Sequence, residues 1–210
     1  MNKIKSREIS VVVQGPIHHQ DNLTKRVLES VREHLPDAEL ILSTWKGSDV
    51  SGLCFDILVE NDDPGAFKTG YSIDNVNRQI LSTLNGIKSS RRHYILKIRT
   101  DSILTSDKFL SFYFQFPKRN SYYSIFNHRI ITLTLFSRDP SLYCRLFHPS
   151  DIAQFGSRAD LLMLWDVPLL DQSKMPKKEF TEYVPESYIF LNSLKRNGFI
   201  EETYRCLRFS

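Results

Sequence analysis

The run YILKIR, residues 94–99, followed at once by Thr100 and Asp101, constrains this chain more than any other stretch. It is apolar and β-favouring, and an amphipathic segment, residues 75–89, stands just before it. A helix that delivers the chain into a buried strand is a crossover connection, for which parallel pairing is the default. Asp101 then falls where a strand leaves its sheet, the place where open α/β folds take their ligands.

The rest of the chain supplies companions for that strand. Residues 9–13, ISVVV, form an almost unbroken apolar run that Gln14-Gly15-Pro16 ends in a turn, as expected of a strand buried on both faces. Leu23, Val27, Leu28, Val31 and Leu35 recur at helical spacing until Pro36. Residues 39–44 and 56–60 read as further strands, and the NDDPG cluster at 61–65 as a turn. In the next helix Ile73, Val76, Ile80, Leu84 and Ile87 make one apolar stripe. Asn75, Arg78, Gln79 and Ser82 fall on another face, with Asp74 or Asn75 placed to cap its start. This order predicts an α/β fold with a mixed, mainly parallel sheet.

Beyond Asp101, residues 106–116 predict a short aromatic helix stopped by Pro117, and 123–136 a strand returning antiparallel. Residues 152–155 read as a short strand, followed by Gly156 and a helix that Ser157 and Asp160 open in a capping-box pattern. A basic loop at 174–178 precedes a last helix that starts at Pro185 and stops at Gly198.

Composition narrows the partners. With 210 residues, 41% hydrophobic and 25% charged, the chain reads as one globular domain over residues 1–210. Its net charge of +4 is scattered rather than clustered, which argues against nucleic acid and suits an anionic ligand or the edge of an anionic membrane. Cys54, Cys144 and Cys206 show no CxxC spacing, so buried or idle thiols in a reducing compartment are expected. The sequence has neither a signal-peptide pattern nor about 18 consecutive apolar residues, and a cytoplasmic protein is expected.

Arg99-Thr100-Asp101 is the leading candidate for chemistry. A carboxylate at a strand end can hold Mg2+ or Mn2+ against the diphosphate oxygens of a nucleotide sugar. The common device is Asp-x-Asp, and here Arg99 stands at its first position, where a guanidinium would contact phosphate or base directly. Alone, such a triplet is more often an ordinary strand-to-loop turn; the preceding helix, with Asn75 and Arg78 on its polar face, shifts the weight toward the ligand reading. Gln14, Gly15 and Pro16 lie where a nucleobase would dock, Gly15 permitting close backbone approach. No GxGxxG or GxxxxGK[ST] pattern occurs, and no HExxH. His18, His19, His148 and Asp151 offer possible metal ligands; His148 is placed to complete a metal site with Asp101 or to touch an acceptor, or is a hydrogen-bonded loop histidine. Glu186, in the first turn of the last helix, has the place of a general base for an acceptor hydroxyl, although a carboxylate there also suits the helix dipole. Asp151 is the competing base, and the sequence does not separate the two.

ISVVVQGP, LILSTWKG, NDDPG, NVNRQILST, LKIRTDSIL and HPSDIAQFGSRADLLMLWD, in this order, resemble the WavE family of lipopolysaccharide synthesis proteins. The resemblance runs over residues 9–194, nearly the whole chain, and implies a GT-A-like glycosyltransferase with a nucleotide-sugar donor, a divalent metal, and a lipopolysaccharide core or other surface glycan as acceptor. It implies donor binding by about 9–104 and an acceptor side in about 105–210. It puts Gln14 to Pro16 at the nucleobase, Asn75 and Arg78 near the diphosphate, Asp101 at the metal, Asp151 and Gly156 beside the acceptor, and Glu186 at the base of an inverting reaction. Such an acceptor leaves room for peripheral association with the inner membrane. Two other expectations stand beside it: a catalytically silent GT-A-like domain that binds a glycan or a partner enzyme, and a sugar nucleotidyltransferase. The second is disfavoured by the lack of an N-terminal Gly-rich loop bearing Arg and Lys.

Overall fold

The computed structural model describes residues 4–69, 72–115, 118–139, 142, 147–171 and 184–200. Its main sheet holds β1 (Ile9–Gln14), β2 (Glu39–Trp45), β3 (Ile57–Asn61), β6 (Tyr94–Arg99), β7 (Ile131–Thr132) and β8 (Ala153–Ser157), in the order β3-β2-β1-β6-β8-β7. β1 runs parallel to β2 and β6, and β2 parallel to β3; β8 is antiparallel to both β6 and β7. This is the mixed, mainly parallel α/β sheet expected of a GT-A-like domain. A separate hairpin, β4 (Phe67–Thr69) with β5 (Ser72–Asp74), precedes the second helix and has no counterpart in the sequence reading.

Two apolar layers sandwich the sheet. On one side α1 (Leu23–His34) packs Val27, Leu28 and Val31 against Val11, Val13, Leu40 and Leu42. On the other, α2 (Val76–Ser89), α3 (Arg158–Trp165) and α4 (Pro185–Arg196) pack Ile80, Ile87, Leu161, Trp165 and Ile189 against Val12, Ile41 and Ile95. β1 is buried at every position, which is why its sequence does not alternate. Alternate residues of β6 serve alternate layers, so Ile95, Lys97 and Arg99 share the α2 face.

α2 approaches the sheet closely at Gly86, where an added Cβ would lie 2.4 Å from Val12 Cγ1 and 3.3 Å from Ser43 Cβ. Gly86→Ala therefore overpacks the layer at a typical cost of 1–3 kcal/mol, of which the helix preference for Ala returns up to about 1. The expected result is a Tm lowered by up to roughly 8 °C in thermal unfolding.

Residues 123–136 do not form the expected long strand; only Ile131–Thr132 pairs with β8. The backbone there finds side-chain partners instead. Asp160 accepts from the amides of Asn127 (2.7 Å) and His128 (3.0 Å), and the Arg119 guanidinium donates to the carbonyls of Phe126 and Asn127. Asp160 also completes the predicted cap, its amide donating to Ser157 Oγ at 3.1 Å. The aromatic helix predicted at 106–116 is a short 3-10 segment, Lys108–Phe112. Pro117, the loop at 174–178, Cys144 and Cys206 lie outside the described residues, and Cys54 is exposed. No helix among the described residues is long and apolar enough to cross a membrane.

Candidate functional site

The parallel register of β1 and β6 pairs Gln14 with Arg99, so two neighbouring strands end together at their carboxyl edge. The ladder continues one step further, with the Thr100 amide donating to Gln14 O at 3.0 Å. At Gly15 the chain turns with φ +129°, and an added Cβ would sit 2.8 Å from Thr100 Oγ1. Only glycine suits that combination of backbone angle and contact. Thr24 at the start of α1 then fastens the turn, accepting from the His18 amide and donating to Thr100 O.

Above these strand ends lies a cleft of about 420 Å³. Gln14, Gly15, Pro16, Asn75, Arg78, Arg99 and Asp101, all singled out in the sequence, line it together. The polar face of α2 is not a solvated one, because it reaches the strand tips. Ser82 Oγ donates to Gln14 Oε1 at 2.7 Å, Ser43 Oγ donates to Ser82 O, and Asn85 donates to Asn61 Oδ1. Asp74 makes the turn that opens the helix, accepting from the Val76 amide at 2.7 Å.

Two guanidinium–carboxylate pairs dominate the charge of the cleft. Arg99 Nε and Nη2 donate to Asp101 Oδ1 and Oδ2 at 2.9 and 2.6 Å. Arg78 donates through Nε and Nη2 to both oxygens of Asp63, and through Nη1 to Asn75 Oδ1 at 3.1 Å. Burial works to raise the Asp101 carboxyl, but the hydrogen bonds and charge of Arg99, with His18, hold it below the usual carboxylate range. The hydrogen bond from Arg78 likewise holds Asp63 low.

His148, Asp151 and Glu186 do not line this cleft; they belong to a second cluster with Lys97. His148 Nε2 lies 3.7 Å from Glu186 Oε2, the two side chains being 4% and 17% exposed. Lys97, fully buried, donates from Nζ to Asp151 O and sits over the Trp165 ring, 4.9 Å from its centroid. Asp151 Oδ2 and His148 Nδ1 are buried without a hydrogen-bond partner among the described residues. Lys97 stands two residues before Arg99 on the same face of β6, and it feels the charges of Arg99 and Asp101 on one side and of Asp151 and Glu186 on the other.

Burial lowers the Lys97 amine from 10.5 to about 8, against the pull of Asp151, Asp101 and Glu186. Between those two values the unfolded chain holds a proton that the folded chain has released, so the contribution of Lys97 to stability rises with pH across the window. Urea unfolding from pH 7 to 10.5 should show wild type gaining stability relative to Lys97→Met. Parallel pH profiles for the two proteins would contradict this placement of the amine.

A bound divalent cation needs oxygen donors, and Mg2+ usually takes one or two carboxylates together with substrate phosphates. Both Asp101 oxygens accept from Arg99, and His148 lies outside the cleft beside Glu186. Among the described residues no three His, Cys, Asp or Glu side chains gather as a metal site. Among the described residues the cleft offers a cation only His18 and two carboxylates, Asp63 and Asp101, each already paired with an arginine, which is a poor fit to a metal centre built by side chains alone.

A family model described as WavE lipopolysaccharide synthesis matches residues 9–195. The chain belongs to the WavE family. A search of curated proteins gives no match to this WavE protein. Solved structures similar to it include glucosyl-3-phosphoglycerate synthase from Mycobacterium tuberculosis, in complex with Mn2+, UDP and glucosyl-3-phosphoglycerate. That chain is 15% identical, with 92% of the WavE chain and 67% of the synthase covered at a TM-score of 0.48. TarS of S. aureus, fragment 1–349, is 12% identical, with 88% and 56% covered at a TM-score of 0.44. Some residues of the WavE site carry no role in the sequence reading. Trp45 and Asp63 line the cleft, and Lys97 sits in the second cluster. A tryptophan at a strand end and a lysine inside an apolar strand are the signals that could have marked two of them.

Proposed function

We propose that this WavE protein is a glycosyltransferase that moves a sugar from a nucleotide-sugar donor to a lipopolysaccharide core or other surface-glycan acceptor. The observation that carries the reading is the cleft where β1, β6 and α2 converge, with both Arg78 and Arg99 in its lining. A guanidinium matches phosphate oxygens in pairs and keeps its charge throughout the working pH range. Gln14 to Pro16 then meet the nucleobase, for which the lining Trp45 offers an aromatic face, and Asn75 and Arg78 face the diphosphate.

The second cluster supplies the acceptor chemistry. Glu186 takes the proton of an acceptor hydroxyl while that oxygen attacks the anomeric carbon, the bond to the diphosphate breaks, and the leaving charge stays on the nucleoside diphosphate. The result is inversion in one displacement. Glu186 is preferred to Asp151 because it is partly exposed and at a helix start, whereas Asp151 is 4% exposed. Asp151 and Gly156 lie on the acceptor side, and an acceptor rooted in a lipid membrane would bring the protein to the cytoplasmic face of the inner membrane. The divalent metal that the family resemblance implies at Asp101 has no supporting donor set, and no step is assigned to it.

Both cleft arginines being engaged by carboxylates of the same chain supports a second reading, a silent domain that binds glycan or a partner enzyme. Release of nucleoside diphosphate from UDP-, GDP- and CMP-sugar panels by purified protein decides between them. Turnover eliminates the silent domain, and glycan binding without turnover or nucleotide binding eliminates the transferase.

A further inference from the structure

The pair at the end of β6 gives Asp101 a different task from the expected one. Arg99 and Asp101 are two residues apart, and the Arg99 backbone is fixed by its ladder pairing with Gln14. Asp101 accepts through both carboxylate oxygens from Nε and Nη2 of the same guanidinium. A guanidinium carries five N–H donors, so this grip holds the plane of Arg99 while its Nη1 hydrogens make no bond among the described residues. The same device recurs across the cleft, where Asp63 grips Nε and Nη2 of Arg78. Two arginines are thus oriented in advance, in a cleft that carries as many carboxylates as guanidiniums and is close to neutral before a ligand arrives.

A divalent cation at Asp101 would compete with Arg99 for the charge of the carboxylate and, held on its remaining lone pairs, would face the guanidinium as a like charge a few ångströms away. A diphosphate has the opposite effect: it adds oxygen acceptors where unused N–H groups already stand, and its negative charge is drawn to both arginines. The cost of orienting the arginines has been met in the free protein, as binding sites that are organised in advance require.

We propose that Arg99, held by Asp101, takes the place of the divalent cation, so that the cleft binds the diphosphate of a nucleoside diphosphate through Arg99 and Arg78 with no added metal. Asp101 is then a positioning residue rather than a metal ligand. The inference rests on the nucleotide-sugar reading above and specifies how its donor is held.

The test is calorimetric titration of the full chain with UDP, GDP and CDP, once in EDTA and once in Mn2+. Wild type should bind one of them in EDTA at least as tightly as in Mn2+. Arg99→Asp, which writes Asp-Thr-Asp into the strand end, should lose affinity by about tenfold or more in EDTA and recover part of it in Mn2+. Wild-type binding that requires Mn2+ overturns the proposal while leaving the nucleotide reading intact. So does an Arg99→Ala variant that binds in EDTA like wild type. Absence of binding to all three nucleotides in both buffers removes the nucleotide reading itself. The wild-type comparison alone decides the metal question if Arg99→Asp fails to fold.

Discussion

Glu186→Gln is expected to slow sugar transfer by about 10²- to 10⁴-fold, the usual contribution of a positioned general base. The amide keeps the size and polarity of the side chain at the second position of α4, so the helix start should survive. Nucleotide affinity should not change, because Glu186 does not line the cleft. That split is the informative part: a loss confined to turnover places Glu186 on the acceptor side, whereas a parallel loss of nucleotide binding would place it on the donor side. Steady-state transfer measured beside calorimetric titration reads both quantities. Retention of full turnover in Glu186→Gln together with its loss in Asp151→Asn would move the base to Asp151.

Arg78→Ala is expected to weaken nucleoside diphosphate binding by about 10- to 100-fold. A hydrogen bond to a charged group is worth roughly 1.5–3 kcal/mol, and each 1.4 kcal/mol is a factor of ten. The upper end is favoured because the change also strands Asp63 in the cleft, where its carboxylate would repel the ligand. Stability should hardly move, since the Arg78–Asp63 pair is about one-third exposed and such pairs contribute little to folding. Binding by calorimetry and Tm by thermal unfolding separate the two effects. An unchanged Kd would remove Arg78 from the donor site.

The sequence was most legible where local pattern and chemistry coincide. The apolar stripe of α2 and the buried runs of β1 and β6 fix how these elements pack, and packing alone carries Gln14, Asn75, Arg78, Arg99 and Asp101 to one cleft. The pairing of charges within that cleft is another matter. Asp63 sits in a turn cluster, and nothing local announces that its carboxylate meets Arg78, 15 positions away. Arg99 reads as a departure from a metal motif, because the triplet does not say that its first member would occupy both oxygens of its third. Lys97 is masked by the apolar run around it, although a cation inside a buried strand must find compensation, and that compensation comes from distant Asp151 and Glu186. The strand expected over 123–136 failed for a related reason: Asp160 and Arg119 take the backbone groups that a ladder would have used.

The central claim is that the cleft at the ends of β1 and β6 binds a nucleoside diphosphate. Thermal unfolding of wild type with UDP, GDP, CDP and ADP tests it most directly, with Arg78→Ala run alongside. A ligand at 100 times its Kd stabilises the folded state by about 2.7 kcal/mol, which for a chain of this size raises Tm by roughly 5–10 °C. The account predicts a shift of that order for at least one nucleotide in wild type and its reduction to roughly half or less in Arg78→Ala at the same ligand concentration. No shift with any of the four, or an equal shift in both proteins, would contradict it.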